Sequence, residues 1–427
     1  MSRFTADVYQ NEFLALGDTD VDAIVTVSAT GAESPAGPAR TAAAELVIVD
    51  ASGSMVSPSG KLTAAKQATA AAIDAIRDGV PFGVIAGTEQ ARAAFPGNGT
   101  LAPASAETRA HAKAAVANIV PSGGTAIGTW LTLARQLFEG TPAGLRHAIL
   151  LTDGQNQHET VDELESVLAA CQGQFQCDCR GVGTDWEVAE LRRIASALLG
   201  SVDIIAQPED MVADFQATIE RAMARGTADV ALRLWTPQGA TVTFVKQVAP
   251  AIQDLTDRAV PVDARTSDYP TGAWGDESRD YHASVRVAAR EVGDEVLAAR
   301  VTLVVDGGPV TQALIRAVWT DEVALSTRIS REVAHYTGQA ELAEVIQEGL
   351  EARRAGDEAE ATLKLGRAVQ LAAAGGNDGT LKLLRRVVEI DDPATGTVRL
   401  NRHVEAVDEM SLDTRSTKTV RLHSEVP

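Results

Sequence analysis

Three short stretches of this chain place oxygen-bearing side chains where an apolar run gives way to a loop. The first is Asp50-Ala-Ser52-Gly-Ser54-Met55, directly after Leu46-Val-Ile-Val49. A carboxylate and two hydroxyls at alternate positions, leaving a buried strand through a Gly-bearing turn, can converge on one point. The second is Ser122-Gly-Gly-Thr125, with Thr125 at the start of a helical pattern. The third is Thr152-Asp153-Gly154, which ends the run His147-Ala-Ile-Leu-Leu151. If these strands lie parallel in one sheet, all three stretches share an edge. Asp50, Ser52, Ser54, Thr125 and Asp153 then surround a single site. A set of hard oxygens selects Mg²⁺, with Ca²⁺ or Mn²⁺ as alternatives, whereas Zn²⁺ or copper calls for nitrogen or sulfur.

Other chemistries find less in the sequence. Gly181-Val-Gly183-Thr-Asp185-Trp186 is similar to a dinucleotide-binding loop, but the third Gly is missing and Trp186 fills the helix start. Asp50 as a phosphoryl-accepting aspartate lacks its Asp-x-Asp partner, because Ser52 stands there. The seven histidines show no ligand spacing, and His158, close after Asp153, reads as a solvated loop residue. Cys171, Cys177 and Cys179 are one ligand short of a closed structural zinc site and read as small apolar packing. Asp178 and Arg180 point to the opposite face of that strand and read as a pair. No nucleophile, base or cofactor loop emerges, so the expectation is a binding protein, not an enzyme.

The elements that must position the oxygens are legible around them. The runs 46–50, 82–86, 147–151, 175–182 and 202–205 are continuously apolar, as strands covered on both faces of a parallel sheet are. Between them lie helical patterns: Leu62, Ala65, Thr69, Ala72, Ile73 and Ile76, then Ile127, Trp130, Leu131, Ala134, Leu137 and Phe138. Further helical patterns cover 161–170, 188–199 and 211–223. Repeated strand–helix units predict a doubly wound α/β domain with a mostly parallel sheet over residues 39–225, and such sheets bind ligands at the carboxyl ends of their strands.

Asp-x-Ser-x-Ser, a distant Thr and a more distant Asp resemble the metal-ion-dependent adhesion site of the von Willebrand factor type A domain. Asp50, Ser52, Ser54, Thr125 and Asp153 meet that pattern in order. The resemblance implies that the Ser52, Ser54 and Thr125 hydroxyls ligate a Mg²⁺, with Asp50 and Asp153 acting directly or through water. It also implies a protein partner that offers an Asp or Glu to the metal. Two competing readings carry other partners. One is an adaptor for a separate AAA+ ATPase, since no P-loop is present here. The other is a signalling scaffold whose tail, Thr414-Arg-Ser-Thr417-Lys-Thr419-Val-Arg421-Leu422, is phosphorylated by a Ser/Thr kinase and docks a forkhead-associated domain.

The remaining residues frame this domain. Strand-like segments after residue 225 predict an antiparallel, β-sandwich-like domain over 226–320. The N-terminal strands in 1–38 have no sheet of their own and are expected to join it, across a Pro/Gly/Ala linker at 31–44. Residues 321–390 read as a helical hairpin, with Leu342, Val345, Ile346 and Leu350 in one stripe and Leu363, Leu365, Val369 and Leu371 in the other. Residues 391–427 read as a flexible tail. The formal charge is 38 − 58 = −20, with aromatics at 4 %, which argues against nucleic acid and against anionic membranes. The chain lacks a signal-peptide core and its cysteines suit a reducing compartment, so a cytoplasmic protein is expected. Ala-rich, Arg-over-Lys usage suggests a bacterial one.

Overall fold

A computed structural model describes residues 3–31, 43–57 and 60–422, so most of the linker read at 31–44 and the last five residues of the tail lie outside the described residues. The chain forms two compact units, Glu33–Ala228 and a discontinuous one made of Met1–Ala32 with Asp229–Pro427.

The first unit alternates β1 (Ala43–Asp50), α1 (Lys61–Ala75), β2 (Pro81–Gly87), α2 (Ala106–Ala117), α3 (Ile127–Glu139), β3 (Leu145–Thr152), α4 (Val161–Cys171), β4 (Gln176–Val182), α5 (Val188–Ala197), β5 (Val202–Ile205) and α6 (Met211–Ala224). Sheet order is β5-β4-β3-β1-β2, all parallel, extended by the antiparallel strand Arg92–Phe95 and a short pairing of Ala102–Pro103 with β2. Every residue of β1 is buried, which is why Leu46–Val49 reads as an apolar run, with Glu45 and Asp50 as the buried charges at its two ends. On one face Val47, Val49, Val84, Ile149 and Leu151 pack against Ala65 and Ile73 of α1, Val116 of α2, and Phe215 and Ile219 of α6. At roughly 1.5–3 kcal/mol per buried large aliphatic side chain, this layer fixes the strand register, and with it where each strand ends. Helix α2 carries no readable stripe, since its buried residues are Ala112 and Val116. A capping box between Ser105 and Thr108 marks its start.

The second unit holds two further sheets. Asp20–Thr30 lies between Arg3–Gln10 and Glu277–Arg286 in a five-stranded antiparallel sheet. Phe13–Ala15 adds in parallel to Gly308–Thr320 at the edge of a six-stranded one. Phe4 of the first sheet meets the fully buried Trp274 of the second edge-on, with ring centroids 5.8 Å apart. Helices α7 (Arg331–Arg354), α8 (Glu358–Ala374) and α9 (Asp378–Val387) share a core of Leu342, Ile346, Leu350, Leu365, Val369 and Leu384. Leu363 is corrected out of its stripe: it is 66 % exposed, because two positions along a helix from Leu365 is nearly the opposite face.

A second correction concerns the region read as a flexible tail. Val388–Asp392 and Thr397–Leu400 form a hairpin, and α10 (Ala406–Arg415) buries Leu412 in the same core as Leu384. The segment that follows runs along the β structure. Ile252 N–H donates to Thr417 O, Thr419 N–H to Pro250 O, and the Thr419 hydroxyl to Val248 O at 2.6 Å. The Arg421 guanidinium grips both oxygens of Asp280, which also accepts from Thr26 and Tyr336. Thr414 is buried and Thr419 is engaged, so these hydroxyls are not presented as kinase sites. The polar, aperiodic sequence is held by long-range partners that no local pattern announces. Among the described residues, no helix is long and apolar enough to cross a membrane.

Candidate metal centre

The strand order puts the ends of β1 and β3 side by side, and the oxygens assemble there. Asp50 is fully buried. Its Oδ1 accepts the Ser52 N–H at 2.8 Å, and its Oδ2 accepts the Thr152 hydroxyl at 2.6 Å. The Ser52 and Ser54 hydroxyls stand 2.8 Å apart, and Ser54 donates to Asp153 Oδ1 at 2.6 Å. Asp153 is also fully buried, whereas Ser54 is exposed, so the cluster opens to solvent on the Ser54 side. Burial pushes the Asp50 carboxyl up, against the hydrogen bonds from Ser52 and Thr152 that pull it down.

Thr125 arrives from the loop before α3. That loop is tied to the Asp50 loop by Ser122 N–H to Ala51 O and Gly53 N–H to Gly123 O. Gly154 shows how closely the parts approach: a Cβ there would lie 3.1 Å from Ser54 Oγ and 3.5 Å from Thr125 Oγ1. All five predicted residues therefore border one cradle. Its donors are two carboxylates and three hydroxyls, a hard set that fits a divalent cation such as Mg²⁺. Among the described residues no group of three or more His, Cys, Asp or Glu is placed to hold a metal, so a cation here must draw on the hydroxyls as well.

Five contributors escaped the sequence reading. Thr152 holds Asp50. Lys61, at the first turn of α1, is 3 % exposed and places Nζ 2.5 Å from Asp153 Oδ2. His158 is an exposed loop residue, as read, and it also reaches the site: its Nδ1 accepts the Thr125 N–H at 3.3 Å, and its ring fills the space a Cβ at Gly124 would need. Asn156 and Glu159 accept the N–H groups of Ile127 and Gly128 at 2.9 and 2.7 Å. The loop after Asp153 thus satisfies orphan donors at the start of α3 and ties the Thr125 loop to the segment that follows Asp153. An oxygen-rich stretch just before a helix with no capping residue of its own was the available signal.

Asp178 and Arg180, read as a pair, act on each other through their charges but take their hydrogen bonds elsewhere. Arg180 bonds Asp214 at 2.6 Å and Thr218 at 2.9 Å on α6. Asp178 accepts from Ser201 N–H and hydroxyl, at 2.6 and 2.7 Å, and lies 3.0 Å from His147 Nε2. His147 Nδ1 is 2.7 Å from Glu45 Oε1, closing a buried carboxylate–imidazole–carboxylate row. The three cysteines are free and buried, and burial pushes the Cys171 thiol up to about 11.

A doubly wound sheet with an oxygen cradle at its carboxyl edge defines an α/β module with a candidate cation site. A family model described as von Willebrand factor type A domain matches residues 44–204, and one described as von Willebrand factor type A C-terminal domain matches 370–416. A solved von Willebrand factor type A structure from Catenulispora acidiphila is 49 % identical, with 98 % of this chain and 97 % of that one covered and a TM-score of 0.93. The chain belongs to the von Willebrand factor type A family, a family of protein-interaction modules that commonly hold a divalent metal. The ArnB paralog VWA2 from Sulfolobus acidocaldarius shares the fold at 15 % identity and a TM-score of 0.60, covering 97 % of this chain and 98 % of its own. The human COPII-coat protein Sec24c does so at 10 % identity and 0.53, over 89 % of this chain and 57 % of its own. No curated protein matches the chain.

Proposed function

We propose that this chain is a metal-dependent interaction module that takes an acidic side chain of a partner protein through a Mg²⁺ site. The observation that carries this reading is the convergence of Asp50, Ser52, Ser54, Thr125 and Asp153 at one edge of the sheet, with two buried carboxylates behind and an exposed hydroxyl in front. Those five residues would hold the cation. Mg²⁺ wants six oxygens and these five residues offer one side chain each, so the bound ion would keep a coordination position for a carboxylate from outside. The protein's share is orientation. Ser52 N–H and Thr152 lock both oxygens of Asp50, and His158, Asn156 and Glu159 seat the Thr125 loop on α3. The acidic surface elsewhere, at −20 overall, would repel an acidic partner except at the metal, which confines docking to this edge.

Pull-down with the full chain, with and without EDTA and beside Asp50→Ala, tests the reading. The captured partner is expected to vanish in both EDTA and D50A. A partner retained in both would sink it. Identification of the captured chain by mass spectrometry separates a simple acidic ligand from an adaptor role beside an AAA+ ATPase.

A further inference from the structure

Lys61 is out of place by ordinary rules. A lysine is almost never fully buried unless it is paired, yet this one is 3 % exposed. It also stands at the first position of α1, where the helix macrodipole disfavours a cation. What holds it is Asp153, at 2.5 Å, with the exposed Asp185 carboxylate farther away at 3.9 Å. The ammonium therefore engages one oxygen of a residue from the candidate metal set, while Ser54 engages the other.

We infer that Lys61 is a tethered cation that competes with the metal for Asp153, sets the metal affinity low, and leaves the loaded site positively charged. This rests on the metal-site reading above. Charge arithmetic gives its sense. Asp50, Asp153 and Lys61 sum to −1, and a divalent cation brings the total to +1. Without the lysine the same site would pass from −2 to neutral. A site at −1 attracts a divalent cation less than one at −2 does, and a loaded site at +1 attracts a carboxylate more than a neutral one. Lys61 thus trades metal affinity for affinity toward an acidic partner. It acts on the metal through Asp153, so it is a positioning and tuning residue, not a ligand.

The test is direct Mn²⁺ binding, by electron paramagnetic resonance and calorimetry, to the full chain and to three variants, with circular dichroism to verify folding. Lys61→Met is expected to bind Mn²⁺ about tenfold tighter than wild type, at the lower end of what one charge within 4–6 Å does to a charged group. Lys61→Gln, which removes the charge but can still donate to Asp153, should move the same way and carries the test if K61M does not fold. Asp50→Ala should bind no Mn²⁺. Equal or weaker binding by the folded neutral variants, with wild type binding and D50A not, overturns the role of Lys61 and leaves the metal site standing. Absence of Mn²⁺ binding in wild type and in both lysine variants overturns the metal reading and this one with it. Binding by the lysine variants but not by wild type supports the inference in its strongest form.

Discussion

Strands β1 and β3 each carry charge at both ends, and the two ends behave differently. At the carboxyl end, Asp50 and Asp153 are bonded mostly to hydroxyls and backbone, with the exposed Ser54 leading outward. At the amino end, Glu45 and His147 are joined by Asp178 of β4 in a row that is 0–5 % exposed. There the acids clamp a histidine on both nitrogens. Asp178 is filled by Ser201, while Glu45 Oε2 is left buried without a partner. A closed row of opposite charges can only support the fold. An open set, in which two carboxylates share hydroxyls and the single Lys61 ammonium, keeps a net negative charge and so has affinity to spare for a cation from outside. Buried acids on the same strands thus serve two ends according to what neutralises them.

The comparison breaks first at His147. Replacing it with Leu leaves Glu45 and Asp178 facing a gap with no cation between them. We expect a loss of about 3–5 kcal/mol in urea unfolding at neutral pH. Mn²⁺ affinity at the other end should not change. A variant that unfolds normally but loses metal would show that the two ends are one network.

The pH dependence of wild-type stability should come next in size. The two carboxylates, Glu45 foremost, raise the His147 pKa from 6.5 to about 9 against the pull of burial. A group whose folded pKa is raised gives stability that is complete below the unfolded value and is lost as pH rises through the folded one. Stability should therefore fall between about pH 6.5 and 9. His147→Leu should lack that decline, which urea titrations across the range would show. Asp178, held well below its ordinary value by His147, acts at the other limb, and its contribution is lost only as pH drops below the usual carboxylate range.

The smallest effect sharpens the open end. Gly154→Ala puts a methyl 3.1 Å from Ser54 Oγ, a contact that Ser54 can relieve only by moving. Calorimetry should show Mn²⁺ binding weakened about threefold to tenfold, or roughly 1 kcal/mol. Melting should shift by a few degrees at most, because Ser54 is exposed.

The contrast also explains what the sequence disclosed. Asp50, Ser52, Ser54, Thr125 and Asp153 sit at strand ends and helix starts, so local apolar runs and turn residues place them. Lys61 belongs to a helix whose stripe of Ala and Ile predicts the helix but not where a lysine at its first position will point. His147 sits inside an apolar run and reads as a strand residue, since its partners Glu45 and Asp178 come from strands 102 and 31 positions away. Arg421 finds Asp280 across 141 residues, so its segment had no local period to betray it. The framing β strands alternate and were readable. Their pairing was readable only through the need of an N-terminal hairpin for a sheet.

That pairing bears on the order in which the molecule can be built. Asp20–Thr30 emerges early but takes its long partner only when Glu277–Arg286 has been made, and Phe13–Ala15 waits for Gly308–Thr320. The inserted unit is complete by residue 228 and can condense while the ribosome is still at work. Its host spends that interval with unpaired strand edges, the surfaces on which chains stick to one another. Synthesis speed between residues 228 and 320 is therefore the interval in which a nascent chain is most exposed to aggregation.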